Sequence, residues 1–108
     1  VPRKKRSDRN HVIYLITNLY TSETYIGITA AIRQAYLHSA KLRLKQHISD
    51  AATRIKNSRL HDSIRTYGSD GFTVEVIYVI RTKAAAHQLE TELIRQFRPQ
   101  LNIASNHD

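Results

Sequence analysis

Glu90 sits where a carboxylate does not belong. Residues Lys83–Phe97 (KAAAHQLETELIRQF) read as a helix. Steps of about 100° per residue bring Ala86, Leu89, Leu93, Ile94 and Phe97 into one apolar arc with Glu90 in its middle, whereas Glu92 falls well outside it. A carboxylate on the core side is costly unless it is paired or bound to a cation. Two uses fit it: a side chain that swings to the helix edge and meets an Arg, or a ligand for a hard cation such as Mg²⁺ beside phosphate. A second pattern lies upstream, where Arg43, His47, Asp50 and Arg54 line one helical stripe. Arg stabilises phosphoryl charge through paired hydrogen bonds, and His binds phosphate or shuttles a proton. The same stripe also fits a solvent-facing salt-bridge ladder with Asp50 between two Arg. Tyr14 and Tyr25 either pack or supply phenols that relay a proton or hydrogen-bond a phosphate or a water.

Other chemistries are excluded or lack support. The chain has no cysteine, which removes disulfides, thiolate metal sites and a Cys nucleophile together. His11, His38, His61, His87 and His107 form no metal-ligand spacing, and there is no HExxH, Walker or GxSxG motif. With 108 residues, 41% hydrophobic and 24% charged, the chain suits one soluble globular domain. No apolar run approaches the roughly 20 residues of a membrane helix. The basic N-terminus lacks the apolar stretch of a secretory signal, so the expected setting is intracellular, away from membranes. The chain opens with Val1 rather than Met, as a domain excised from something longer would.

The formal charge of +8 is unevenly spread. Residues 1–10 carry Arg3, Lys4, Lys5, Arg6 and Arg9 against Asp8 alone, and read as a basic flexible arm or linker. A second concentration runs from Lys41 to Arg65, with Lys41, Arg43, Lys45, Arg54, Lys56 and Arg59 against Asp50 and Asp62. Clustered positive charge attracts a phosphate backbone by releasing its counterions, so Arg3, Lys4, Lys5, Arg6, Lys41, Lys45 and Arg54 are candidate nucleic-acid contacts. The alternative is that these side chains only solvate exposed helix faces.

The elements that would position these groups can be read in order. His11–Asn18 is a β-branched, nearly continuous apolar strand, and Thr24–Thr29 a second strand, antiparallel to it across a turn. Gly27 inside that strand marks close approach of another backbone or a ligand. Residues 30–40 fit either a short helix or an extension of the helix that follows. Lys41–Asn57 is a helix with Leu44, Ile48, Ala51 and Ile55 as its buried stripe. Ser58 caps a helix to about Tyr67, and Gly68 ends it. Phe72–Ile80 alternates, placing Phe72, Val74, Val76, Tyr78 and Ile80 on one face of a third strand. Thr82 caps the last helix and Pro99 stops it. The expected fold is α+β, a small, mainly antiparallel three-stranded sheet with helices packed against it.

Together these residues resemble the GIY-YIG nuclease superfamily. Val12-Ile13-Tyr14 and Tyr25-Ile26-Gly27 look like its paired signature, with Val12 where the family name has Gly. Arg43 and His47 in RLKQH resemble its Arg-containing helix. Glu90 in LETELIRQFRPQLN resembles its metal-binding Glu, a stretch that also looks much like the nuclease module of bacterial excision-repair enzymes. Asn102 matches the Asn that follows that helix. The resemblance spans roughly residues 12–104, and residues 11–108 are taken as the domain. The stretch from Gly27 to Arg43 is several residues longer than expected, so Arg33 competes for the Arg role. Arg43 is preferred for the QH context that follows it, and the extra segment around residues 31–40 is a candidate DNA-contacting insertion. A second His that some members carry has no clear match, and His47 is its substitute.

The resemblance implies a DNA endonuclease that leaves a 5′-phosphate and a 3′-hydroxyl. Glu90 would hold one divalent cation, Mg²⁺ or Mn²⁺. Tyr14, helped by Tyr25 or His47, would activate or orient the attacking water, Arg43 would clamp the scissile phosphate, and Gly27 and Asn102 would support the site. The implied partner is double-stranded DNA, with targeting from a further DNA-binding domain outside this chain or from dimerisation. A homing or mobile-element endonuclease domain is the leading expectation. A repair or restriction nuclease of the same fold and a non-catalytic nucleic-acid-binding module are the alternatives.

Overall fold

A computed structural model describes residues 9–53 and 58–103. The expected contacts Arg3, Lys4, Lys5, Arg6 and Arg54 therefore lie outside the described residues, as does most of the arm. Strand β1 (Asn10–Asn18) is the centre of an antiparallel three-stranded sheet, flanked by β2 (Thr24–Ala30) and β3 (Phe72–Arg81). Its near-continuous apolar sequence follows from that position, because both of its faces are covered. Helices α1 (Tyr36–Thr53) and α2 (Arg59–Tyr67) cover one face, where Val12, Tyr14 and Ile16 pack with Ala40, Ala51, Leu60 and Ile64. Helix α3 (Lys83–Phe97) covers the other, with Leu93 against Ile13 and Ile26. Among the described residues no helix is long and apolar enough to cross a membrane.

Two expectations are corrected and one left open is resolved. The stretch before Lys41 extends helix α1, which starts at Tyr36, and its course after Thr53 lies outside the described residues. Its first turn is fixed by Ser39, whose buried hydroxyl donates to Ala35 O at 2.7 Å and accepts from Ile32 N at 2.8 Å. The alternation of β3 does not keep one face. A bulge opposite Ile13 and Tyr14 leaves Ile77 unpaired, so Val74 and Val76 pack with α1 and α2 while Ile77 and Ile80 pack with α3. Phe97 is not in the core but 64% exposed, beside Tyr78 and Pro99 on the α3 side of the sheet.

The caps agree with the sequence. Ser58 Oγ accepts from His61 N, and the Gly68 N–H donates to Ile64 O at a φ of 86°, a left-handed conformation that glycine takes without strain. Thr82 Oγ1 accepts from Ala85 N ahead of α3. Arg98 takes the left-handed position after it, where its N–H donates to Ile94 O, and Pro99 follows.

Candidate active site

Tyr14 points from the middle of β1 toward α1 and is 1% exposed. Directly across the ladder is Gly27. A Cβ built there would lie 2.3 Å from the Tyr14 phenol oxygen and 2.4 Å from its Cζ. The close approach that Gly27 marks is therefore that of the Tyr14 ring, which lies across β2. Tyr25, two residues earlier on the same face, places its ring 6.3 Å from that of Tyr14.

His47 comes down from α1 between the two phenols. The stripe expected beside the buried face of that helix turns inward here, for His47 is buried. Its Nε2 lies 2.9 Å from the Tyr14 hydroxyl, and its ring meets Tyr25 edge-on at 5.4 Å. On the other side, His47 Nδ1 is 3.2 Å from Nε2 of His61, a residue the sequence pattern left aside. His61 Nδ1 in turn is 2.9 Å from Ser58 Oγ. A hydrogen-bonded chain thus runs from Tyr14 through two imidazoles to the cap of α2. With both rings neutral its bonds point one way or the other along the whole line. Either Tyr14 donates to His47 and each ring passes a proton contact on, or the chain reverses and the Tyr14 oxygen accepts. Two adjoining imidazoles are a place for a proton that the phenol gives up.

Burial pushes the Tyr14 hydroxyl well above the usual phenol range, and Tyr25 and Glu90 add to the shift. The Arg43 charge and a hydrogen bond from its guanidinium oppose it. Tyr25 is raised by burial and by Glu90, and again Arg43 pulls it down. Arg43 therefore reaches the phenols, whereas Arg33 lies in the turn before α1 at a φ of 54° with an exposed side chain. Lys41 and Lys45 are exposed, and helical steps of about 100° put them on the side of α1 away from Arg43. Asp50 accepts a hydrogen bond from Gln46 at 2.9 Å.

Glu90 turns toward the sheet from α3. Its side chain is 17% exposed, and its near partner is not an Arg but His87, one turn earlier, with Nδ1 at 3.5 Å. Desolvation raises the carboxyl above its ordinary value, and His87 offsets part of that. The desolvated carboxylate, near enough to both phenols to shift them, offers hard oxygen donors that suit Mg²⁺ or Mn²⁺. Among the described residues no three His, Asp or Glu side chains converge. Glu90 would thus be a lone protein ligand, leaving water and phosphate oxygens to complete the shell.

Asn102 completes the frame. Its Oδ1 accepts from Ile26 N at 2.7 Å and its Nδ2 donates to Ile26 O at 2.8 Å, so one amide side chain pairs with the outer edge of β2 beside Gly27. Asn102→Ala removes both bonds and is expected to lower stability by about 1–2 kcal/mol, read as a shift in the urea midpoint at constant m.

The family model for the GIY-YIG catalytic domain matches residues 10–102. No curated protein matches the chain significantly. Among solved structures, a mutant of the catalytic domain of intron endonuclease I-TevI aligns at a TM-score of 0.68 and 19% identity, covering 92% of this chain and 95% of that one. The catalytic domain of homing endonuclease I-TevI aligns at 0.67 and 20% identity, covering 91% and 99%. Both share the fold of this chain.

Proposed function

This chain belongs to the GIY-YIG catalytic domain family and is a nuclease domain; from that premise we propose that it is a divalent-metal-dependent DNA endonuclease, the catalytic part of a homing or mobile-element enzyme. The observation that supports it most is the convergence of Tyr14, Tyr25, Arg43 and His47, with Glu90 close by on α3. The likeness to the I-TevI catalytic domain supports the homing role over repair or restriction. Targeting would come from a DNA-binding domain beyond these residues, and the setting would be intracellular.

A phosphodiester needs a nucleophile, a clamp on the developing charge and a proton for the leaving oxygen. A phenol raised by burial keeps its proton at neutral pH, so Tyr14 does not act as a base by itself. It takes a proton from the attacking water as it hands its own to His47, and the His47–His61 pair holds the charge. Arg43 binds the non-bridging phosphate oxygens. The P–O3′ bond breaks as the water oxygen bonds to phosphorus, leaving a 5′-phosphate, and the departing 3′-oxygen takes a proton from a solvent water, whose hydroxide is neutralised by the proton held on the His pair. Glu90 would hold the cation, which when bound supplies Lewis-acid stabilisation of the phosphate.

Plasmid nicking with Mg²⁺ and with EDTA tests this. Nicking is expected with the metal and not with the chelator. DNA binding without nicking would leave only a non-catalytic binding module. Tyr14→Phe keeps the ring that packs over Gly27 and removes the proton-bearing oxygen. It is expected to slow nicking by about 10²–10⁴-fold with DNA affinity retained, measured by single-turnover cleavage beside a binding titration.

A further inference from the structure

A groove of about 840 Å³ opens along the free edge of β2. Its floor is Ile28 to Ala30, one wall is Arg43 and Gln46 of α1, and the other is Lys83 and His87 of α3. Three features of it point to one kind of occupant.

The first is charge. Arg43 and Lys83 are cations, and among the described residues no carboxylate lines the groove.

The second is the strand edge. Among the described residues β2 pairs only with β1, and antiparallel ladders bond through alternate residues. Ala31 N donates to Asn10 O and Asn18 N donates to Glu23 O. The same alternation turns Tyr25, Gly27 and Thr29 inward and Ile26, Ile28 and Ala30 outward. Asn102 takes the outward groups of Ile26. The N–H groups of Ile28 and Ala30 face the groove, where they can donate to phosphate oxygens.

The third is alignment. Lys83, His87 and Glu90 stand at i, i+4 and i+7 of α3, on one face. The run covers about 10 Å of helix, about three nucleotide steps along a duplex axis.

Resting on the reading that the site cleaves DNA, we propose that this groove seats the strand on one side of the scissile phosphate, with Lys83 on a flanking phosphate and the β2 edge amides against the same backbone. Lys83 lies outside both basic concentrations in the sequence, and it faces the site while Lys41 and Lys45 do not. It is a binding residue and takes no part in the chemistry.

The test uses the full chain carrying Glu90→Gln, in EDTA, titrated against a fluorescent duplex between 50 and 200 mM KCl. Adding Lys83→Ala is expected to weaken binding several-fold at low salt and to reduce the slope of log affinity against log salt by about one phosphate contact. Lys83→Arg is expected to restore both. Equal melting temperatures confirm that the exposed substitution leaves the fold intact. Unchanged affinity and slope in Lys83→Ala, or no measurable DNA binding by the parent, overturns the proposal. The cleavage reading fails separately: wild-type chain that never nicks with Mg²⁺, while Lys83→Ala still lowers the salt slope, refutes cleavage and supports the groove.

Discussion

Glu90→Gln is expected to cut metal-dependent nicking by at least about 10³-fold, or about 4 kcal/mol of barrier, and to make the metal-free protein more stable at neutral pH. The two effects share one cause. The Glu90 carboxyl is held mostly out of water on the sheet side of α3, and desolvation raises its pKa above the ordinary carboxyl value. The folded state therefore binds this proton more tightly than the unfolded state does. Its contribution to stability is complete below the unfolded carboxyl pKa and is lost as pH rises through the raised folded one. At pH 7 the ionised side chain is a cost to the apo fold, and the neutral amide relieves it. In EDTA the variant should thus melt above wild type at pH 7, and the gap should close as pH falls toward the carboxyl range. Added Mg²⁺ should raise the wild-type melting temperature by mass action and leave that of the variant in place. Wild-type nicking by the variant would sink the assignment, because no other described carboxylate shifts both phenols.

The same residue shows how far the sequence carried. Glu90 was legible because its anomaly is local: helical spacing alone puts it in an apolar arc. The hairpin, the cap of α2 and the stop of α3 were legible for the same reason, each being written in a short run of residues. What was not legible depends on partners distant in the chain. The start of α1 depends on Ser39 bonding back to Ile32, a contact that does not show in a stretch fitting either a short helix or an extension of the next one. The face that β3 presents changes at Ile77, because register belongs to the pair of strands and not to either alternating sequence. His61 joins His47 across two helices at 3.2 Å, a pairing with no period to betray it. The usable signal was its place at the edge of the α2 apolar stripe, beside Leu60 and Ile64, both buried. Lys83 lies outside both basic concentrations of the sequence, whereas the groove gathers its cations from two helices.

Gly27→Ala is the second large effect, and its sign carries the argument. Gly27 is not at a positive φ, unlike Gly68. In an ordinary strand position, then, alanine would be better than glycine by about 0.5–1 kcal/mol. Here the added methyl would stand 2.3 Å from the Tyr14 oxygen and 2.8 Å from its Cε1. The ring cannot swing clear, since Tyr14 is buried and its hydroxyl is tied to His47 at 2.9 Å. β2 cannot easily back away either, since Asn102 holds its outer edge at Ile26. A destabilisation of about 1–3 kcal/mol is therefore expected. Nicking should fall by about 10²-fold or more, as when a reacting group is displaced by an ångström. The contact can be isolated by a double-mutant cycle with Tyr14→Ala, followed by urea denaturation. Removing the ring opens the space the methyl needs, so the double variant should be less destabilised than the two single costs combined. Additive costs would mean that Gly27 serves the backbone of β2 and not the phenol that crosses it.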